Sequence, residues 1–278
     1  MQPTRIALSL FSMLCLASLS ACESSDDASD SGSDGSGDAA GDGCDISLTP
    51  SGGDDTTQLQ TALIEIADGG TICLGAGTFS VATELSLAVN NVTVIGAGED
   101  QTIIDFHTQT VGANGLKVTS DHVRLEAFQV FDTPGDSIRA DQVDDITFNH
   151  VKVVWPDDAS LQNGAYGLYP VGCNGVLIDG STVTGARDAG IYVGQSQNIV
   201  VQNSVAYGNV AGIEIENCTD AEVRNNHAYD NTSGILIFNL PGLTRYGRAT
   251  NVHDNLIENN NKANFAKEGT IVKNVPPG

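Results

Sequence analysis

A glycine-led segment recurs along this chain at a nearly fixed spacing. Copies begin at Gly167, Gly190, Gly212 and Gly234, which lie 23, 22 and 22 residues apart. A fixed period in the twenties is typical of solenoid proteins, in which each repeat forms one coil stacked on the next. The period constrains the fold strongly, because it determines which side chains lie above one another.

Each copy contains short runs in which apolar and polar residues alternate. The run after the glycine covers 191–193 in one copy and 213–215 in the next, and a second run follows at 199–201. Alternation with a period of two predicts strands with one inward face. A leucine-rich repeat is the alternative, but its LxxLxLxxN pattern is missing and the strand positions favour Val and Ile. We predict an all-β fold, a right-handed parallel β-helix with coils of about 22 residues, since parallel crossovers are overwhelmingly right-handed.

The pattern extends in both directions from these copies. Earlier coils begin at Gly115 and Ser137, and insertions at 156–165 and 244–248 lengthen two coils. Residues 56–64 predict an amphipathic helix that caps the open end of the first coil. We expect a β-helix domain over 44–278, with coils from roughly 70 to 275. Because the repeat pattern continues to the last residue, we also expect a truncated C-terminus.

The first 22 residues have the features of a lipoprotein signal. Arg5 precedes an apolar stretch at 6–19, and the sequence LSAC ends at Cys22. The stretch is shorter than the roughly 20 apolar residues that span a bilayer. An ordinary signal peptide with an incidental cysteine is the alternative. We predict a signal peptide over 1–21, an acylated Cys22, a disordered Ser/Asp/Gly tether over 22–43, and a lipid-anchored location in the cell envelope, at the outer membrane or the periplasmic face.

The chain is strongly acidic, with a formal net charge of −23. Seven acidic residues lie in the tether, and residues 44–278 keep 28 acidic against 11 basic residues. This composition argues against nucleic acid as a partner, because such binding needs clustered Lys and Arg. It also disfavours a polyuronate ligand unless Ca²⁺ bridges the like charges. We identify no other cofactor and no metal-ligating motif.

The cysteines of the folded part separate into two pairs. Cys173 and Cys218 each lie six residues after a coil's first glycine, with Ser196 between them in the same column. Two coils correspond to roughly 9.6 Å, which exceeds the ~7 Å limit between the Cα atoms of a disulfide. These two are expected to be unpaired. Cys44 and Cys73 remain, and an exported protein is expected to join them.

Outward positions of the glycine-led strands bring chemistry-bearing side chains to one face. Ile191 points inward, so Tyr192 and Gly194 point outward, and stacking the coils produces two outer columns. The first column is Lys117, Arg139, Tyr169, Tyr192, Glu214 and Leu236. The second is Thr119, Asp141, Val171, Gly194, Glu216 and Phe238. We expect a shallow, solvent-open site here, bordered by Asp188 and Gln195, with the insertions 156–165 and 244–248 at its ends.

Aromatic faces stack on sugar rings, and carboxylates bind sugar hydroxyls, cations or protons. The candidate ligand-binding residues are Tyr166, Tyr169, Asp188, Tyr192, Gln195, Glu214, Glu216, Asn217 and Phe238. The catalytic candidates, should the chain be an enzyme, are Tyr169, Tyr192, Glu214 and Glu216 as acid and base, and Arg139 to neutralise a substrate carboxylate. Simple packing of the stacked tyrosines is the alternative.

Asparagines recur at two corners of successive coils. Asn203 and Asn225 share one position, and Asn209 and Asn231 share another. Asparagine side chains stacked in this way form ladders of hydrogen bonds. We interpret both pairs as structural.

Four stretches together resemble a family of exported bacterial parallel β-helix repeat proteins. They are GAYGLYP from Gly164, DAGIYVGQS from Asp188, AGIEIEN from Ala211 and GILIFNLPGL from Gly234. Members of that family are secreted proteins or lipoproteins, often encoded beside an exported c-type cytochrome, so the resemblance implies such a cytochrome as a partner. More distantly, the architecture resembles pectate-lyase-like enzymes and alginate epimerases. The Asp-Pro-His signature of the epimerases is absent.

Three functions remain open at this point. The first, which we favour, is an envelope-anchored binding or scaffold module for a glycan or a partner protein, because no pair of groups forms a recognised catalytic pattern. The second is a polysaccharide lyase or epimerase that uses the outer face. The third is an accessory protein to an exported c-type cytochrome; the chain has no CxxCH motif and carries no c-type haem itself.

Overall fold

The computed structural model describes residues 43–156, 159–267, 269 and 271–275. The predicted signal peptide, Cys22 and nearly all of the predicted tether lie outside these residues. No helix within the described part has the length and hydropathy needed to cross a bilayer. The described chain forms parallel strands wound into coils, together with two short helices.

Two parallel sheets form the walls of the coils. The 7-stranded sheet contains β4 (Thr83–Leu87), β7 (Val111–Val118), β9 (Asp136–Asp141), β11 (Tyr166–Val171), β14 (Ala189–Gly194), β17 (Ala211–Glu216) and β20 (Ser233–Phe238). The main path of the 15-stranded sheet contains β1 (Ile46–Leu48), β2 (Thr71–Leu74), β5 (Thr93–Gly96), β8 (Arg124–Phe131), β10 (Asp144–Val154), β12 (Asn174–Asp179), β15 (Gln197–Gln202), β18 (Thr219–Arg224) and β21 (Arg248–His253). Its branch contains β3 (Gly77–Ser80), β6 (Thr102–Asp105), β13 (Thr182–Thr184), β16 (Val205–Tyr207), β19 (His227–Tyr229) and β22 (Leu256–Glu258).

The strand register follows the period of the sequence. Ile191 pairs with Ile213, and Ile213 pairs with Ile235 on the next coil. Ile191 and Ile213 are fully buried, and they continue one apolar core that runs through the coils. The predicted parallel β-helix and its register are therefore confirmed.

The repeated glycine has a steric reason. A Cβ atom at Gly190 would lie 2.8 Å from Nδ2 of Asn209, and one at Gly212 would lie 2.9 Å from Nδ2 of Asn231. Those amides form the ladder expected at this corner, in which Asn209 Nδ2 donates to Oδ1 of Asn231 at 3.1 Å. Glycine thus recurs because the side chain of the ladder occupies the space of its missing Cβ.

The other asparagine column differs from its prediction. Asn203 and Asn225 are exposed and have positive φ angles of 53° and 55°. The buried ladder lies one residue later, where Ser204 N donates to Oδ1 of Asn226 at 2.9 Å. Asparagine suits the exposed corner because it tolerates the left-handed conformation. A column of asparagines therefore marks a corner, but it does not say which residue points inward.

The N-terminal end is closed as expected. Helix α1 (Thr56–Glu65) buries Leu59, Ala62 and Leu63. Cys44 and Cys73 form a disulfide with a Cα–Cα distance of 5.8 Å, which ties the segment before α1 to β2. Cys173 and Cys218 are free and buried.

The coils occupy a different range from the one expected. β1 precedes the capping helix and pairs with β2, and the last strand of the described chain ends at Glu258 rather than near 275. From there the chain leaves the stack, and α2 (Ile271–Asn274) follows. Inward positions of the last coil are partly exposed, with Val252 at 40% and Ile257 at 49%.

Candidate functional site

The outer face of the 7-stranded sheet carries the predicted columns. Tyr192 pairs with Glu214, which pairs with Leu236. Val171 pairs with Gly194, and Gly194 with Glu216. We call this surface, on strands β9, β11, β14, β17 and β20 of the 7-stranded sheet, the outer face. The structure confirms that the predicted residues project from neighbouring coils of one sheet.

A segment of the chain covers part of this face. Residues 264–267, 269 and 271–275, here named the covering segment, bring Ile271 and Val275 against Tyr192 in one apolar cluster. Side-chain hydrogen bonds brace the segment, since Asn264 Nδ2 donates to the carbonyl of Val275 at 2.9 Å. The expectation of a solvent-open site is wrong here, because Tyr192 is only 6% exposed and Glu214 only 3%.

A cavity of about 490 Å³ lies between the outer face and the covering segment. The described residues that line it are Tyr166, Asp188, Glu214, Glu216, Leu236, Ile237, Phe238, Asn239, Leu240, Gly269, Ile271 and Val275. Its volume is within the range of small-molecule sites, which is about 300–1,000 Å³. Its lining combines apolar side chains with the carboxylates of Asp188, Glu214 and Glu216.

Three tyrosines form a cluster beside the cavity. The ring centroids of Tyr166 and Tyr169 are 4.5 Å apart, and that of Tyr192 lies 4.8 Å and 5.0 Å from them. The guanidinium of Arg139 lies 5.0 Å above the ring of Tyr169. The ring of Tyr192 lies along its own strand, and a Cβ at Gly194 would lie 2.5 Å from its hydroxyl. Glycine at 194 therefore gives the tyrosine room to reach the next coil.

The carboxylates differ in their partners. The hydroxyl of Tyr166 donates to Asp188 at 3.0 Å, and Nε2 of Gln195 donates to Glu216 at 2.9 Å. Glu214 is only 3% exposed. It has no hydrogen-bond or ion-pair partner among the described residues. Glu214 lines the cavity, and its oxygens are not among the wholly buried, unpaired side-chain atoms of the described residues. Its carboxylate therefore faces the cavity, where a ligand could pair with it.

Burial also changes the acidity of these groups. It raises the pKa of Asp188 to about 7 and that of Asp136 to about 6. Burial, reinforced by the charges of Asp188 and Glu216, raises the pKa of Glu214 well above its usual value. Burial likewise raises the pKa of the Tyr192 hydroxyl, and the charge of Glu216 adds to the shift. The site thus favours neutral acids and protonated tyrosines when it is empty.

Not every predicted residue belongs to the cavity. Phe238 lines it, but both polar groups of Asn217 are used within the protein, since Nδ2 donates to the carbonyls of Leu240 and Arg245 at 3.0 Å and 2.8 Å. Asn217 therefore holds the neighbouring loop in place. A ligand would have to break that loop to reach it.

The two insertions lie beside the site, as expected. The end of insertion 156–165 meets the outer face where Asp188 N donates to the carbonyl of Ala165 at 3.2 Å. In insertion 244–248, Arg245 donates to Gln197 at 2.7 Å. The insertion 244–248 follows directly after the loop that contains Asn239 and Leu240, and these two residues line the cavity.

Two parts of the site escaped the sequence analysis. One is Asp136 at the start of β9, whose carboxylate accepts from the backbone N–H of Tyr166. The other is the covering segment, which was mistaken for a further coil. The apolar residues Phe265, Ile271 and Val275, which do not keep the glycine-led spacing, were the available signal.

Metal binding has no support from clustered ligands in the described ranges. No group of three or more His, Cys, Asp or Glu side chains there is arranged to hold an ion. Binding of Ca²⁺ at this face stays a prediction from the net charge.

Several solved structures share the fold. One is the pre-mature bacteriophage phi29 gene product 12, at 15% identity and a TM-score of 0.52, over 74% of this chain and 33% of the phage protein. Another is the catalytic unit of a GH87 alpha-1,3-glucanase from Streptomyces thermodiastaticus, at 19% identity and a TM-score of 0.51, over 79% of this chain and 42% of the glucanase. The A-module of the Azotobacter vinelandii mannuronan C-5 epimerase AlgE4 has 18% identity and a TM-score of 0.44, over 73% of each chain.

The likenesses to the phage protein and to the glucanase unit show the fold alone, because sequence identity is low and one fold hosts many functions. This chain spans less than half of the phage protein and of the glucanase unit. No curated protein matches the chain in sequence. The family described as right handed beta helix region matches residues 92–274. This match covers more than half of the chain and agrees with the coils of the structure, so the chain belongs to the right-handed β-helix family.

Proposed function

We propose that this chain is a carbohydrate-binding module of the cell envelope, and that a sugar enters the cavity between the outer face and the covering segment. The observation that carries the proposal is the buried, unpartnered Glu214 in a cavity lined partly by apolar side chains beside a tyrosine cluster. Sugars combine hydroxyls, which donate to carboxylates, with apolar ring faces, which pack on aromatic and aliphatic side chains.

The same geometry disfavours the lyase or epimerase alternative. Such a reaction needs a base that removes a proton from the substrate. Burial raises the pKa of the Tyr169 and Tyr192 hydroxyls, so both stay protonated near neutrality and are not available as bases. Arg139, the predicted partner for a substrate carboxylate, already pairs with Asp141 at 3.3 Å.

One observation still favours proton transfer. Asp188 has a pKa of about 7, which is the value that suits a group exchanging protons near neutrality. A lyase assay that follows the absorbance of unsaturated uronates, with alginate and pectin as substrates, tests this second candidate. Activity that Asp188→Asn abolishes would establish it in place of simple binding.

Binding is tested with an isosteric variant. Glu214→Gln keeps the shape of the side chain and removes its charge, and Glu222→Gln, in the same coil but on the other sheet, is the matched control. Calorimetric titration with a panel of neutral and amino oligosaccharides should show binding that falls at least tenfold in Glu214→Gln only. Equal affinity of both variants for the sugar would show that the cavity is not the binding site.

Anchoring through Cys22 and association with an exported c-type cytochrome complete the proposed role. The first rests on the LSAC sequence and the second on the family resemblance. Neither depends on the geometry of the cavity.

A further inference from the structure

The charge inside the cavity is unbalanced. Asp188, Glu214 and Glu216 line it, whereas no Lys, Arg or His is among its described lining residues. Glu214 and Glu216 point from the same face of β17, so their Cα atoms are roughly 6.6 Å apart by strand geometry. Three acids therefore line one cavity.

The basic residues near the cavity do not neutralise Glu214. Arg187 acts on Asp188, whose pKa it lowers against the larger effect of burial. The charges that act on Glu214 are those of Asp188 and Glu216, and both are negative. Lys267 and Lys273 of the covering segment are exposed. The centre of the cavity thus carries an acid that no described cation neutralises.

The neighbouring tyrosines favour the same kind of ligand. Electron-rich ring faces attract cations within about 6 Å of the ring centroid. Arg139 already uses the ring of Tyr169 in this way, at 5.0 Å. Tyr166 lines the cavity together with Glu214, so a cation at Glu214 would share the cavity with an aromatic ring as well as with acids.

We propose that the cavity selects a sugar that carries a protonated amine, with the ammonium group at Glu214 and the ring against Leu236, Ile271 and Tyr166. This rests on the proposed carbohydrate-binding function and names its ligand class. An ammonium group beside Glu214 favours the ionised carboxylate, and the attraction between the two charges offsets their desolvation. A neutral sugar supplies no such attraction and leaves Glu214 in the protonated form that burial favours.

The test uses three probes that share one ring and differ at C2. The methyl β-glycosides of glucosamine, N-acetylglucosamine and glucose carry an ammonium, an acetamide and a hydroxyl there. Ligand-observed NMR titrations at about pH 7, where the amine and most surface carboxylates are charged, should show at least tenfold tighter binding of the glucosamine glycoside. Glu214→Gln should abolish that preference.

Control experiments distinguish the amine preference from the carbohydrate binding on which it rests. Glu222→Gln removes the same charge from the other sheet, so it should keep the preference and exclude a general attraction to an acidic protein. Equal binding of all three probes, or tighter binding of the acetamide, would overturn the amine preference and leave carbohydrate binding intact. Absence of binding by all three would also overturn the amine proposal, and titration with neutral oligosaccharides would then decide the proposed function by itself.

Discussion

At the scale of single residues, burial changes the meaning of the outer face. Tyr192 and Glu214 occupy outward positions, which an alternating strand normally exposes to solvent. Here the covering segment leaves them 6% and 3% exposed. Each side chain therefore contributes to packing as well as to the site, and the two contributions must be separated by experiment.

Replacing Tyr192 should test its packing. Tyr192→Ala removes a buried ring that contacts Tyr166, Tyr169 and the covering segment, and we expect the free energy of unfolding to fall by about 3 kcal/mol. Tyr246, which is 78% exposed, is the control, and Tyr246→Ala should change stability by no more than about 0.5 kcal/mol. Urea denaturation measures both. Equal, small losses would mean that the outer face is open in solution.

The acids of the site predict an unusual dependence of stability on pH. The pKa of Asp188 is raised in the folded protein from 3.8 to about 7, so the folded state holds its proton more tightly than the unfolded state. Stability is then greatest below the unfolded pKa and falls as pH rises through the window from about 4 to about 7. For Asp188 the loss is on the order of 4 kcal/mol. Asp136 acts in the same direction up to about 6.

Asp188→Asn should reduce this dependence, because the amide resembles the neutral acid and can still accept from Tyr166, whereas the contributions of Asp136 and Glu214 remain. Thermal denaturation between about pH 4 and pH 8 should show a flatter profile for this variant. Asp220→Asn, at an exposed position of β18, should keep the slope of the native protein. A native protein that gains stability throughout this range would contradict the burial of these acids.

At the scale of elements, hydrogen-bond ladders fix the corners of the coils. Asn231 accepts from the backbone N–H of Asn209 at 2.9 Å and donates to the carbonyl of Ala206 at 2.9 Å. The ladder thereby satisfies buried backbone groups at a corner where no strand partner is available. The covering segment is an element of a different kind, held by apolar contacts to the outer face.

Breaking the ladder should destabilise the coils. Asn231→Ala leaves the N–H of Asn209 and the carbonyl of Ala206 without partners, which should lower the free energy of unfolding by at least about 2 kcal/mol. Asn251→Ala, at an exposed position in β21, should have little effect. Chemical denaturation compares the two, and equal stabilities would show that the ladder adds nothing.

Loosening the covering segment should open the site. Ile271 is 7% exposed and its neighbour Val272 is 43% exposed, so the two form a matched pair. Ile271→Ser should release the segment and speed tryptic cleavage after Lys267 several-fold, since proteolysis follows local opening. Val272→Ser should leave the rate near that of the native protein. Cleavage that is fast in all three proteins would show that the segment does not rest on the outer face.

At the scale of the whole molecule, one apolar core runs along the axis of the coils and α1 closes its first end. The cavity lies towards the other end, where β17 and β20 carry its lining residues.

The anchor itself is a prediction from the sequence. Cys22→Ser should prevent acylation and move the protein from the membrane fraction to the soluble fraction of cells. Immunoblotting of fractionated cells measures the shift, and Cys173→Ser, which alters a buried free cysteine, controls for effects of cysteine loss. Undiminished membrane association of Cys22→Ser would refute the lipoprotein assignment.

The sequence alone was sufficient to predict the structure of the repeating coils. The 22-residue spacing of Gly190, Gly212 and Gly234 carried the register, the inward stack and the outer columns, because in a parallel β-helix each residue contacts its equivalent in the next coil. The cap followed from a local amphipathic pattern. The Cys44–Cys73 disulfide followed by elimination, because the spacing of the coils keeps Cys173 and Cys218 apart.

The closure of the site was decided only by the tertiary structure. The covering segment has no repeat and contacts residues more than 50 positions away, as Ile271 does beside Tyr192, so no periodicity reveals where it lies. Its position turns an outward face into a cavity, buries Glu214 and raises the pKa of Asp188. Alternation along a strand tells which side chains leave the core, but it cannot tell whether solvent or another part of the chain meets them on the outside.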